Sequence, residues 1–148
     1  MKNKYLLLLF LLAFATPCMS QDYWQLYFQP DGSVQHEALL YKTSTAKWIM
    51  RVRFYSEACA CYDIVEQKMR RETTSAGFRL AGYDPISVRT GYEHDSYIAD
   101  NLYFEEDEDG ETQVTNRDDA GVETAVTGIV KIETNAELQR LLTRFKWN

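Results

Sequence analysis

Apolar and polar residues alternate with a period of two along most of the chain after residue 20, and the alternation stops repeatedly at turn-forming residues. Trp24, Leu26 and Phe28 share one face of a first strand. Pro30, Asp31 and Gly32 end it, because proline lacks a ladder donor and glycine accepts a positive φ. Residues 34–41 read as the returning strand. In the next one Trp48, Met50, Val52 and Phe54 point one way and Ile49, Arg51, Arg53 and Tyr55 the other, the pattern of a half-buried strand. Further strands are predicted over 62–72, 78–83, 97–105, 112–116 and 122–133, the last with a bulge or break at Gly128. Residues 82–95 read as a loop, since Gly82, Asp84, Pro85 and Gly91 interrupt any regular pattern.

About eight strands joined mostly by short connections must pair antiparallel, because parallel neighbours need crossovers of about a dozen residues or more. The period changes once, at the C-terminus. Thr134 and Glu137 stand as a capping box, and Leu138, Leu141, Leu142 and Phe145 follow on one helical face. A helix of about twelve residues is marginal alone, so it must lie against the sheet. The predicted fold class is therefore mainly β: a single antiparallel sheet of about eight strands, closed as a barrel or folded as a sandwich, with one C-terminal amphipathic helix packed on it. That outline is similar to small ligand-carrying barrels of the lipocalin type. Their Gly-x-Trp signature near the first strand is absent, since Asp22 and Tyr23 precede Trp24, and no family membership follows.

The first twenty residues are a different material. Lys2 and Lys4 precede an unbroken apolar run from Tyr5 to Ala15, and Thr16, Pro17, Cys18, Met19 and Ser20 return to small or helix-breaking residues. This is the layout of a cleaved secretory signal peptide over residues 1–20, with cleavage after Ser20 or, through Ala13 and Ala15, after Ala15. The run is about half the roughly 20 residues a spanning helix needs, so the mature chain is expected to carry no integral membrane segment. Pro17 is a poor neighbour for lipid attachment at Cys18. The expectation is a single secreted or periplasmic domain over 21–148. The formal charge of the whole chain is −6, and the 128 residues after Ser20 hold 14 basic and 22 acidic side chains, a net −8. Such a balance disfavours a nucleic-acid partner.

Cys59 and Cys61 are the disulfide candidate. In an oxidising compartment the even count left after signal removal points to a bridge, which at this spacing needs a tight turn. A redox role for the pair is the enzyme-class alternative. Zinc is disfavoured because His36 and His94 are each isolated rather than closely spaced. His94, Asp95 and Ser96 hold the residue types of a hydrolase triad, yet neighbours in an extended chain point in opposite directions. The acidic run from Glu105 to Glu111 lacks the spacing of a calcium loop, and Asp109-Gly110 reads as a hairpin turn. No catalytic residue, metal or cofactor is predicted.

Charge is unevenly placed. Residues 47–89 carry eight basic against five acidic groups, and residues 90–148 five against fourteen. Arg51 and Arg53 share the outward face of one strand. If Lys68 or Arg70, and Arg79, join them on neighbouring strands, a basic sheet face with Tyr55 and Tyr83 beside it would suit an anionic glycan or protein. Glu66 and Glu72 in the same region offer the opposite outcome, a solvated face of cross-strand ion pairs. The sequence thus predicts a non-catalytic binding or interaction module, with a structural envelope-associated protein and a small extracytoplasmic enzyme as the alternatives.

Overall fold

In the computed structural model, which describes residues 21–28 and 36–147, the period-two segments become eight strands. They are β1 (Asp22–Phe28), β2 (His36–Lys42), β3 (Trp48–Ser56), β4 (Cys61–Thr73), β5 (Gly77–Ser87), β6 (Asp100–Glu106), β7 (Thr112–Asp118) and β8 (Glu123–Lys131). One helix, α1, follows over Asn135–Arg144. The signal segment 1–20 and the Pro30-Asp31-Gly32 turn lie outside the described residues. Every strand pairs antiparallel with its neighbour in the chain, and β8 returns to β1, so the sheet is a closed barrel and not a sandwich. Closure gives every strand two paired neighbours, which is how an up-and-down barrel limits edge-to-edge association, although the β7–β8 ladder joins only Thr115, Asn116 and Arg117 to Ala125, Thr124 and Glu123.

Inside lie Leu26, Ala38, Leu40, Met50, Val52, Met69, Leu80 and Leu102, with Trp24, Trp48, Phe54, Phe78 and Phe104 packed against them. A second core sits outside the wall, where Leu141 and Phe145 of the helical segment press on Tyr23 and Leu39. That external contact explains why alternation fails in β2: Ala38, Leu39 and Leu40 are all buried because both faces of the strand are covered. Burying Leu141 and Phe145 contributes about 1.5–3 kcal/mol each. Thr134 Oγ1 accepts the Glu137 N–H at 3.3 Å and caps the helix start.

The segment 82–95, predicted as a loop, is in part a strand. β5 continues to Ser87 because the ladder slips between Glu66 and Lys68, leaving Asp84 and Pro85 without partners in a bulge. Asp84 there takes a φ of 50°. Of the residues that interrupt the pattern, Asp84 and Pro85 are thus absorbed by the bulge, whereas Gly82 is paired with Met69 and Gly91 turns beyond the strand. Gly82 is required by close approach, since a Cβ at that position would stand 2.3 Å from Gln67 Nε2 and 2.4 Å from the Asp100 carbonyl oxygen. The irregularity expected at Gly128 appears as a register shift between Tyr27 and Phe28 of β1, which pair with Gly128 and Val126.

Candidate functional site

The sequence-predicted basic residues all face outward, but each carries a carboxylate partner. Arg51 pairs with Glu66 at 2.7 Å, donates to the Phe145 carbonyl at 3.0 Å and to the Lys146 carbonyl, and lies over the Trp147 ring. It closes the C-terminal end of α1 against the barrel. Arg53 meets Glu37 at 3.1 Å and stacks on Tyr62, and Arg144 of the helix reaches the same Glu37. Only 14% and 16% of the Arg51 and Arg53 side chains are exposed. Arg70 and Arg79 converge on Glu72 at 2.7 and 2.6 Å, and together they hold its carboxyl below the usual range. Tyr55 meets Tyr62 edge-on near the β3–β4 turn. These residues form ion-paired networks across neighbouring strands rather than one open cationic surface.

Cys59 and Cys61 are joined in a disulfide in that β3–β4 turn, where Ala60 takes a φ of 49° and its N–H donates to the Glu57 carbonyl. His94 faces Asp63 of β4, with Nε2 3.3 Å from Oδ2, and Ser96 offers only its backbone N–H to His94 Nδ1. The three adjacent residues therefore do not assemble as a triad. A cavity of about 340 Å³ runs from this turn to His94. The acidic run folds as the β6–β7 turn: Asp107 Oδ1 accepts from the backbones of Asp109 and Glu111, and Gly110 takes a φ of 81°.

No spacing or motif signals the most unusual chemistry, which lies inside one end of the barrel. Alternation and register put His36 of β2, Phe54 of β3, Asp100 of β6, and Asn116 and Asp118 of β7 on the inner face. Tyr97, from the β5–β6 connection, is laid over them and stacks on Phe54 with ring centroids 5.6 Å apart. They line a cavity of about 310 Å³ with Ser96, Ile98, Val122 and Thr124. Asp100 is only 5% exposed. The Tyr97 hydroxyl donates to Asp100 Oδ2, and Asn116 Nδ2 donates to Oδ1 at 2.5 Å. Gln67 reaches from β4 to hold the Asp100 backbone, accepting its N–H at 3.1 Å and donating to its carbonyl at 2.9 Å. That clamp substitutes for the ladder beyond Ala81 and Asn101, the last β5–β6 pair.

Burial pushes the Asp100 carboxyl up, against the opposing pull of its two donors. Burial likewise raises the Tyr97 phenol and lowers His36, against the opposing charge of Asp100. Two polar atoms here lack a partner among the described residues, His36 Nε2 and Asn116 Oδ1. Leaving such groups buried and unpaired costs about 1–3 kcal/mol each, so the end is built at the expense of stability.

At the opposite end of the barrel one side of the rim is cationic and aromatic, and the acidic β6–β7 turn stands on another. Lys42 lies over Trp48, Lys131 over Trp24 and Arg71 over Phe78. Beside them a groove of about 510 Å³ is lined by Lys47, Trp48, Lys68, Arg70, Arg71 and Tyr83. The chain matches no protein-family profile, no curated protein and no solved structure.

Proposed function

We propose that this protein is an extracytoplasmic, non-catalytic binding barrel that takes a small ligand into the cavity between His36, Phe54, Tyr97, Asp100 and Asn116. One observation carries the reading: a cavity of about 310 Å³ with aromatic walls contains buried polar atoms that no described residue satisfies. A ligand site is the ordinary reason to keep such groups, since small-molecule sites are concave, mostly apolar and furnished with a few convergent polar atoms. The signal-like first twenty residues and the Cys59–Cys61 bridge support a location outside the cytoplasm. A fragment screen followed by NMR tests the reading. Fragments should perturb the His36, Tyr97 and Asn116 signals, and Asn116→Leu should abolish those shifts while the barrel stays folded. Perturbations confined to other surfaces would dismiss it.

A second reading, recognition of an anionic glycan or protein, is favoured by the groove beside Trp48. Its cations Lys47, Lys68, Arg70 and Arg71 stand with Trp48 and Tyr83, a combination suited to charge-assisted bonds and stacking. This moves the proposed anion site from Arg51 and Arg53, which are engaged with Glu66, Glu37 and the helix, to the barrel rim.

A further inference from the structure

Asp100 and Asp118 are direct partners in the β6–β7 register, so their side chains leave the same inner face of the barrel side by side. Like charges opposite one another destabilise a sheet, and the described residues that line this cavity include no lysine or arginine to offset them. Asn116, 2% exposed, adds a further acceptor. Its Nδ2 is committed to Asp100 Oδ1, which leaves Oδ1 buried in the cavity wall with no partner among the described residues. Beside the His36 ring and the Ser96 and Thr124 hydroxyls, which can donate as well as accept, the polar part of the site therefore offers acceptors and negative charge. The rest is aromatic, with Phe54 and Tyr97 stacked beside it. No three metal-binding side chains converge among the described residues, so the set lacks the geometry for an ion alone.

Building on the small-ligand reading, we infer that the cavity takes an organic ammonium: a protonated amine on an apolar or aromatic body, its N–H groups donated to Asp100, Asp118 and Asn116 Oδ1 and its body against Phe54 and Tyr97. An ammonium has donors only, which matches the acceptors present. It would also supply the missing positive charge between the carboxylates, and the aromatic rings add attraction to a desolvated cation. A carboxylate or phosphate ligand would meet two like charges and no lysine or arginine among the described lining residues.

The test uses three probes of similar size, 2-phenylethylammonium, 2-phenylethanol and phenylacetate, titrated into the mature protein and followed by NMR at His36, Tyr97 and Asn116. The ammonium is expected to bind at least ~10-fold more tightly than the alcohol, about one hydrogen-bonded charge in a partly dry site, and phenylacetate not to bind. Asp118→Asn should remove that preference while the alcohol still binds. Thr124→Lys, which places a tethered ammonium opposite Asn116, should raise Tm and block the probe, a readout that does not depend on any one carboxylate variant folding. Equal or tighter binding of the alcohol or phenylacetate would overturn the ammonium assignment and leave the small-ligand reading standing. Displacement of the ammonium by calcium or zinc at the same signals would also overturn it. If none of the three probes shifts the cavity signals, both readings fall.

Discussion

At the scale of single residues, the inner end of the barrel ties stability to pH through two groups of opposite sign. His36 stacks on Phe28, with centroids 4.5 Å apart, and shares its surroundings with Phe54, Asn116 and the carboxyls of Asp100 and Asp118. Its folded pKa lies below the ordinary 6.5, chiefly through burial. The stability it contributes is present above 6.5 and is lost as pH falls from there through the lowered value. Asp100 runs the other way: its folded pKa is raised above 3.8, so its contribution is present below 3.8 and is lost as pH rises through the raised value. His36→Phe keeps the ring stack and removes the first slope. Thermal unfolding between pH 7 and pH 5 should therefore show a smaller drop in Tm for His36→Phe than for the wild type, and a steeper one for Asp100→Asn. An unchanged slope in His36→Phe would mean that the ring is not desolvated in solution.

At the scale of elements, α1 is an attachment rather than part of the closed sheet. Its hold on the barrel is the apolar contact of Leu141 and Phe145 with Tyr23 and Leu39, plus the clasp of Arg51 on the last carbonyls. Arg51→Glu would set a carboxylate against Glu66 and those carbonyls, with an expected loss of about 2 kcal/mol or more. Leu141→Ala should cost about 2–5 kcal/mol. Hydrogen exchange should then accelerate over 135–147 in both variants while the amides of β3 and β4 stay protected, and uniform acceleration would show that helix and barrel unfold as one unit. The helix was readable in advance because its capping residues and apolar spacing are local. Strand positions were readable for the same reason, down to the two faces of β3. The extension of β5 was not, because a bulge depends on what Gln67 of the facing strand does. Nor was the site: His36, Asp100 and Asn116 come from three strands and meet only when the barrel closes, and each alone resembles an ordinary polar residue.

At the scale of the whole molecule, closure sets charges of both signs at one end of the barrel. The acidic excess of residues 90–148 puts Asp100 and Asp118 at the His36 end but the Glu105–Glu111 turn at the other, where Lys42, Lys47, Lys68, Arg71 and Lys131 gather on the side of Trp24, Trp48 and Tyr83. A net charge of −6 therefore does not forbid an anionic partner, since cations cluster on the Trp48 side of that rim. Lys47 and Arg71 are exposed there, and Arg71 contacts the Phe78 ring rather than a carboxylate among the described residues. Lys68 is less available, paired with Asp84 at 3.1 Å. A sulfated polysaccharide probe should accordingly bind the mature protein at low ionic strength and lose most of its affinity between about 50 and 300 mM salt, as the Debye length shrinks from roughly 14 to 6 Å. Lys47→Glu with Arg71→Glu should lower that affinity at least ~10-fold, the loss of two charge contacts of about 0.7 kcal/mol each. Arg53→Glu should leave it nearly unchanged, because Arg53 faces Glu37 on a different part of the wall. Titration calorimetry of the three proteins at both salt concentrations decides the matter. Salt-independent binding, or an effect larger for Arg53→Glu than for the rim pair, would return the anion site to the paired arginines or remove it altogether.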